Sequence, residues 1–345
     1  MSHPRPPACR HPGSAALLAA LGALVLSGCA ATSREAHATP TAAPPVTAHP
    51  AVPPAGGRPT ATSSASPATT PTAAATRPEG PAQLPRGGRT IFPAYRLVGF
   101  CGAPGSASLG RLGIGDLDQR VNEIESVAAG YASGRQILPV LELVATVVQE
   151  RPGRDGMHRT RASDDIIAQY LAAARRHRAL LLLNIGPGRA QFIDEVRAYE
   201  RWLKEPDVGL ALDPEWAIGP GQVPGRVFGA VTGAQLEQVA RYVSDLVVRG
   251  DLPEKVIVYH QLRLSVVRTV AALQPHPGLA VVQSVDGIGN RADKEATWRT
   301  VTAARPAFVH PGFKLFYDED RQQGALMTPS EVLALQPQPE YILYK

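Results

Sequence analysis

From residue 95 onward, short apolar runs alternate with amphipathic segments, and this alternation constrains the fold of the 345-residue chain more than any other feature. Eight runs read as strands: Tyr95–Cys101, Ile137–Thr146, Leu180–Ile185, Val208–Asp213, Lys255–His260, Leu279–Asp286, Gly312–Asp318 and Glu340–Tyr344. Between them apolar residues recur at helical spacing over about 116–131, 163–177, 190–204, 233–249, 262–274, 291–303 and 328–335. Ser163-Asp164-Asp165 and Thr328-Pro329-Ser330-Glu331 supply a capping oxygen and an acidic first turn at two of these starts. Strands that are apolar at nearly every position are buried on both faces, which strand–helix alternation achieves in a parallel sheet. Eight such units in about 250 residues predict an α/β fold, a single (β/α)8 TIM-type barrel whose last strand closes against its first. An open doubly wound sheet is the alternative. Against it, Gly99-Phe100-Cys101-Gly102-Ala103-Pro104-Gly105 lacks the Gly-x-Gly-x-x-Gly spacing and carries a proline.

The chain before residue 90 has a different character. From Ala30 to about Arg89 it is Ala, Thr, Pro and Ser with almost no large apolar residue, too little to bury for a fold. The expected division is therefore 1–28 as a leader, 29–90 as a disordered linker and 91–345 as the barrel domain. A Pro-rich linker is semi-extended at up to ~3.1 Å per residue, which suits a spacer. Charge divides along the same line. Of 35 Lys+Arg and 30 Asp+Glu, seven Arg and two Glu precede residue 91, leaving 28 of each in the barrel. A neutral domain gives no support to a nucleic-acid partner. Only Cys101 of the three cysteines falls in the barrel, so no internal disulfide is expected there.

At the N-terminus, Arg5 and Arg10 precede an apolar run from Ala15 to Leu26, too short to span a bilayer and laid out like an export signal. Its end, Leu26-Ser27-Gly28-Cys29, resembles the lipobox of bacterial lipoproteins. The resemblance implies cleavage before Cys29, a thioether-linked diacylglycerol and an N-acyl chain such as palmitate. Two or three acyl chains give stable anchoring. The expected address is the extracytoplasmic face of the cell membrane, with the lipid anchor as the contact to that membrane.

In a barrel of this kind, function sits at the C-terminal ends of the strands. Polar residues gather there: Glu142 on the second strand, Asn184 on the third, Asp213 and Glu215 on the fourth, His260 on the fifth, Asp286 on the sixth, and Lys314, Tyr317 and Asp318 on the seventh. Residues two apart share a face, which pairs Asp213 with Glu215, Ser284 with Asp286 and Lys314 with Asp318. Branched apolar side chains would serve stability better, since unpaired buried charges cost several kcal/mol each.

The fourth strand, Gly209-Leu210-Ala211-Leu212-Asp213-Pro214-Glu215-Trp216, resembles part of the Asp-Gly-x-Asp-x-Asp-x-Glu signature of chitinase-type glycoside hydrolases. Gly209, Asp213 and Glu215 match. Val208 and Ala211 stand where the signature has its two earlier aspartates. The resemblance implies Glu215 as general acid and Asp213 as the group that helps a substrate N-acetyl attack the anomeric carbon. Residues 95–345 are also similar to an uncharacterised group of secreted bacterial barrel proteins that pair a Leu-Asp-Pro-Glu with a late Lys-Leu-Phe-Tyr-Asp, here Leu212–Glu215 and Lys314–Asp318. That likeness implies the barrel and the site, not an activity.

Position alone suggests another pairing, with Glu215 as acid/base and Asp318 as nucleophile. Carboxyls ~5–5.5 Å apart give retention, ~6.5–9.5 Å inversion. Trp216 is a candidate sugar-stacking platform. The loop Gln149–Ala162 carries four arginines and His158, and Pro214–Gly233 is rich in Gly and Pro; both are candidate lids. The expected function is a cell-envelope hydrolase, glycosidase-like, acting on a wall or environmental glycan without a cofactor. Two alternatives stand beside it: a non-catalytic lipoprotein that binds a small molecule or glycan, and a metal-dependent hydrolase of a phosphoester or amide built on Asp213, Glu215, His260 and Asp286. No short His-x-His or His-Glu-x-x-His spacing supports a metal, and Glu142, Asn184, Trp216, His260, Asp286, Lys314 and Tyr317 are expected to bind the ligand.

Overall fold

The computed structural model describes residues 80–345; the leader, the lipobox with Cys29 and most of the Ala/Thr/Pro segment lie outside the described residues. In chain order the strands are β1 (Tyr95–Gly102), β2 (Gln136–Val148), β3 (Arg159–Arg161), β4 (Leu180–Ile185), β5 (Val208–Leu212), β6 (Val231–Thr232), β7 (Lys255–Gln261), β8 (Val267–Arg268), β9 (Leu279–Val285), β10 (His310–Leu315) and β11 (Tyr341–Tyr344). Eight of them, β1, β2, β4, β5, β7, β9, β10 and β11, pair in parallel in that order, and β11 returns to β1 at Leu97↔Tyr341. The sheet is closed, as the alternation of runs requires. β3 adds an antiparallel hairpin to the end of β2, and β6 with β8 forms a two-stranded patch outside the barrel.

The helices are α1 (Leu117–Ala128), α2 (Asp164–Arg176), α3 (Phe192–Ala198), α4 (Glu200–Leu203), α5 (Gly233–Gly250), α6 (Arg291–Thr302), α7 (Tyr317–Arg321) and α8 (Pro329–Leu333). Local chemistry sets their starts. The Ser163 side chain accepts the Ile166 amide, and Thr232 with Gln235 and Thr328 with Glu331 close reciprocal capping boxes. α5 turns Leu236, Val239, Ala240, Val243, Leu246 and Val247 toward the barrel, an apolar stripe at helical spacing.

Two sequence expectations fail. Residues 262–274 form single turns and β8 rather than a helix, because Val266, Val267, Thr269 and Val270 are β-branched and lose side-chain freedom in a helix. The seventh strand ends at Leu315, not Asp318; Tyr317–Arg321 is the short helix α7.

Two cores result from the barrel's alternation. The shell between strands and helices holds most of the apolar mass. The interior holds Leu97, Leu138, Val140, Leu182, Val256, Val258, Val282 and Leu343, and it is stoppered at the N-terminal mouth by Leu84, Ile91 and Phe92 from the segment that precedes β1. Gly209 is an inward position with no room for a side chain: a Cβ there would lie 2.6 Å from Leu182 Cδ2 and 2.8 Å from the Val256 carbonyl. The backbone beneath Asp213 can therefore approach its neighbours closely.

Candidate functional site

The same inward-facing positions change character toward the C-terminal ends of the strands. Glu142 follows Leu138 and Val140 on β2, Asn184 follows Leu182 on β4, His260 follows Val258 on β7, and Ser284 and Asp286 follow Val282 on β9. All are buried, and they are joined. His260, fully enclosed, donates from Nδ1 to both Asp286 oxygens at 2.9 and 3.0 Å and from Nε2 to Glu142 Oε1 at 3.1 Å. Asn184 Nδ2 bridges Glu142 Oε1 and Asp213 Oδ1, each at 3.0 Å. Lys314 Nζ donates to Asp286 Oδ2 at 2.9 Å, Ser284 Oγ to Asp286 Oδ1 at 2.8 Å, and the Tyr341 hydroxyl to Glu142 Oε2.

Above this floor opens a cavity of about 700 Å³. Glu142, Asn184, Asp213, Glu215, Trp216, Asp286 and Lys314 reach it, and apolar side chains such as Val144, Val148, Ile166, Leu262 and Phe316 form much of its wall. His260 lies beneath the floor rather than on it. Asp213 directly follows β5, and Glu215, in the single turn Pro214–Trp216 that comes next, is buried and borders the cavity.

Electrostatics separates the carboxyls into two groups. Burial works against charge on every one of them, yet His260 outweighs it at Glu142, and His260 and Lys314 outweigh it at Asp286, so both are held below the usual carboxylate range. In return, and against the same burial, Asp286 and Glu142 hold His260 well above the usual imidazole value, and Asp286 does likewise for Lys314. Two cations thus balance two carboxylates. Asp213 and Glu215 are the surplus. Burial raises Asp213 despite His260 and Lys314, and burial together with Asp213 and Asp286 raises Glu215 well above the usual glutamate value. Glu215 Oε2 is buried and makes no hydrogen bond within the protein, as is true of Asn184 Oδ1. A carboxyl biased toward its protonated form, bordering a cavity and with one oxygen free of hydrogen bonds, is equipped to give a proton away.

Two candidates lie elsewhere. Asp318 is exposed in the first turn of α7 and does not reach the cavity, and Tyr317 instead stacks on Tyr344, ring centroids 5.0 Å apart. The physical reason is the early end of β10: beyond Leu315 the alternation that would have put residue 318 beside Lys314 no longer holds. Asp320 shows why the chain turns there. It is buried, pairs with Lys294 at 2.9 Å, and accepts the amides of Phe316 and Gly289. Asp318 is therefore not among the side chains that the structure brings together at the cavity.

The structure also adds residues that the sequence did not bring forward. Tyr341 had a signal, as the one aromatic among the inward positions of the last strand. Phe316, under Lys314 at 5.4 Å from Nζ to ring centroid, had one too, since it lies two residues from Lys314 and shares its face. Cys101 and Lys345 also line the cavity, the thiol pushed up to about 12 by burial and the lysine tied to Glu319.

The basic loop proves to be mostly structural. Arg159 and Arg161 both grip the buried carboxylate of Glu195 at 2.7–2.9 Å, fixing the β2–β3 hairpin over α3, and His158 Nδ1 lies 3.1 Å from the Gln149 carbonyl. Arg151 and Arg161 still border the cavity. Gly188, φ +61°, lies under this hairpin, where a Cβ would sit 2.2 Å from the Met157 carbonyl. For the metal alternative, both ring nitrogens of His260 face carboxylates, and no group of three or more His, Cys, Asp or Glu is placed to hold a metal ion among the described residues.

No family model matches the chain, and no curated protein matches it. Among solved structures it is similar to the Clostridial cellulose synthase subunit Z from Clostridioides difficile, with 9% identity and a TM-score of 0.36 over 72% of this chain and 91% of that chain. The assignment of the fold rests on the closed sheet itself.

Proposed function

We propose that the chain is a cell-envelope lipoprotein whose barrel hydrolyses glycosidic bonds, with Glu215 as general acid and Asp213 as its partner at the reacting sugar. The observation that carries this reading is the state of Glu215: buried, without a hydrogen bond at Oε2, opening on the cavity, and pushed toward its protonated form by burial and by Asp213 and Asp286. Protonating a leaving oxygen requires such a group, and positioned acids contribute about 10²–10⁴-fold. Asp213, which shares that surplus of negative charge, stands beside it to orient a substrate amide or stabilise positive charge at the anomeric carbon. Trp216, on the cavity wall, offers a face on which a sugar ring stacks.

The test is Glu215→Gln, assayed on a panel of N-acetylated and neutral glycans. Turnover falls by about 10²–10⁴-fold while ligand binding persists, and an aryl glycoside with an acidic phenol as leaving group is spared because it needs no proton. Wild-type protein that binds glycans from the panel and turns none over is instead a binding lipoprotein. The anchor is tested separately. Cys29→Ser abolishes incorporation of labelled palmitate and moves the chain from the membrane fraction to the soluble one; unchanged partition refutes the anchor.

A further inference from the structure

Beside the cavity, on the same end of the barrel, lies a second depression of about 600 Å³. Trp216 borders the first, while Ala217 and Ile218, next in the chain, border the second; the same is true of Leu262 and Arg263. The Trp216 and Phe228 rings, centroids 6.3 Å apart, stand between them. The lining of the second depression includes Arg189, Arg263 and Arg268, three glutamines and no acidic residue. Among the described residues none of these arginines takes part in an ion pair, whereas most arginines of the barrel do. Arg263 lies over Phe228, 4.7 Å from guanidinium carbon to ring centroid, and its guanidinium makes no hydrogen bond or ion pair among the described residues. Arg189 donates to the Gln222 carbonyl through Nη2, but its Nε is buried and has no acceptor. A buried guanidinium N–H without an acceptor costs free energy that an incoming anion recovers.

We propose that this depression binds an anionic group, a carboxylate or phosphate, carried by the chain of sugars that enters the neighbouring cavity. The inference rests on the glycan reading for the identity of that chain, and it names the substrate class as acidic glycans. Guanidinium forks suit both oxyanions, since each presents two oxygens to paired N–H donors.

The experiment titrates the full-length protein with inorganic phosphate, with an oligouronate and with a neutral oligosaccharide of equal length, reading Trp216 fluorescence and heat. Arg263→Gln/Arg268→Gln serves as the variant; both positions are exposed. Wild type binds the oligouronate more tightly than the neutral chain, the variant loses about tenfold of that affinity, and raised salt removes the same preference. Phosphate bound without the oligouronate assigns the site to phosphorylated glycans. Equal affinity of wild type and variant for both anions overturns the proposal, whatever the protein hydrolyses. Anion binding that depends on the arginines, in a protein that turns over no glycan, leaves this site standing and removes the hydrolase reading.

Discussion

The two ends of the barrel interior are built from the same alternating positions and hold opposite chemistry. At the N-terminal mouth, Leu84, Ile91, Leu97, Leu138, Val140 and Leu182 pack together, and the Glu254 carboxylate there accepts the Ile91 amide. At the C-terminal mouth, six titratable side chains, Glu142, Asp213, Glu215, His260, Asp286 and Lys314, are buried together. Stability alone explains the first end. It does not explain the second, where two carboxyls exceed the cations available to them and one oxygen of Glu215 has no partner.

The contrast predicts what substitutions do, beginning with the largest effect. Glu215→Gln removes about 10²–10⁴-fold of turnover, yet it leaves stability unchanged or raises it, because the replaced group is a buried carboxyl without a counterion; paired kinetic and denaturant measurements check both halves. Asp286→Asn leaves Lys314 without its carboxylate partner and His260 with Glu142 alone, and costs about 3–5 kcal/mol of folding free energy, read as a drop in denaturation midpoint. At the apolar end, Leu182→Ala costs about 2–5 kcal/mol, with KM unchanged in whatever fraction remains folded. Asp318→Asn, on exposed α7, changes turnover little and stability by less than about 0.5 kcal/mol.

Stability as a function of pH separates the same groups. Asp286 and Glu142 have depressed pKa values in the folded state, so their contribution is present above the unfolded carboxylate values near ~4 and is lost on acidification. Glu215 has a raised value, so its contribution is present below its unfolded pKa and is lost as pH rises through the folded one. Wild type therefore loses stability on that alkaline side and Glu215→Gln does not, which denaturant midpoints across pH resolve.

Much of the barrel was legible in the sequence. Eight buried strands announce themselves as apolar runs, and a polar residue interrupting the end of such a run, as at Glu142, Asn184 or Asp286, has few places to go but the mouth. The failures are local. Val266–Val270 carried a helical spacing that β-branching overruled, and Asp318 was placed by extending an alternation that Asp320 terminates by capping Phe316 and pairing with Lys294. What sequence lacked was the count of cations against carboxyls in one enclosed space. That count depends on which side chains meet, and it is what sets Glu215 apart from its neighbours.

The most direct measurement of the account is the titration of the Glu215 carboxyl itself, followed by carbon-13 NMR of selectively labelled protein with Glu215→Gln to assign the resonance. The account predicts a carboxyl that ionises well above the ordinary glutamate range. A carboxyl that titrates near the ordinary glutamate value of ~4.3 contradicts it.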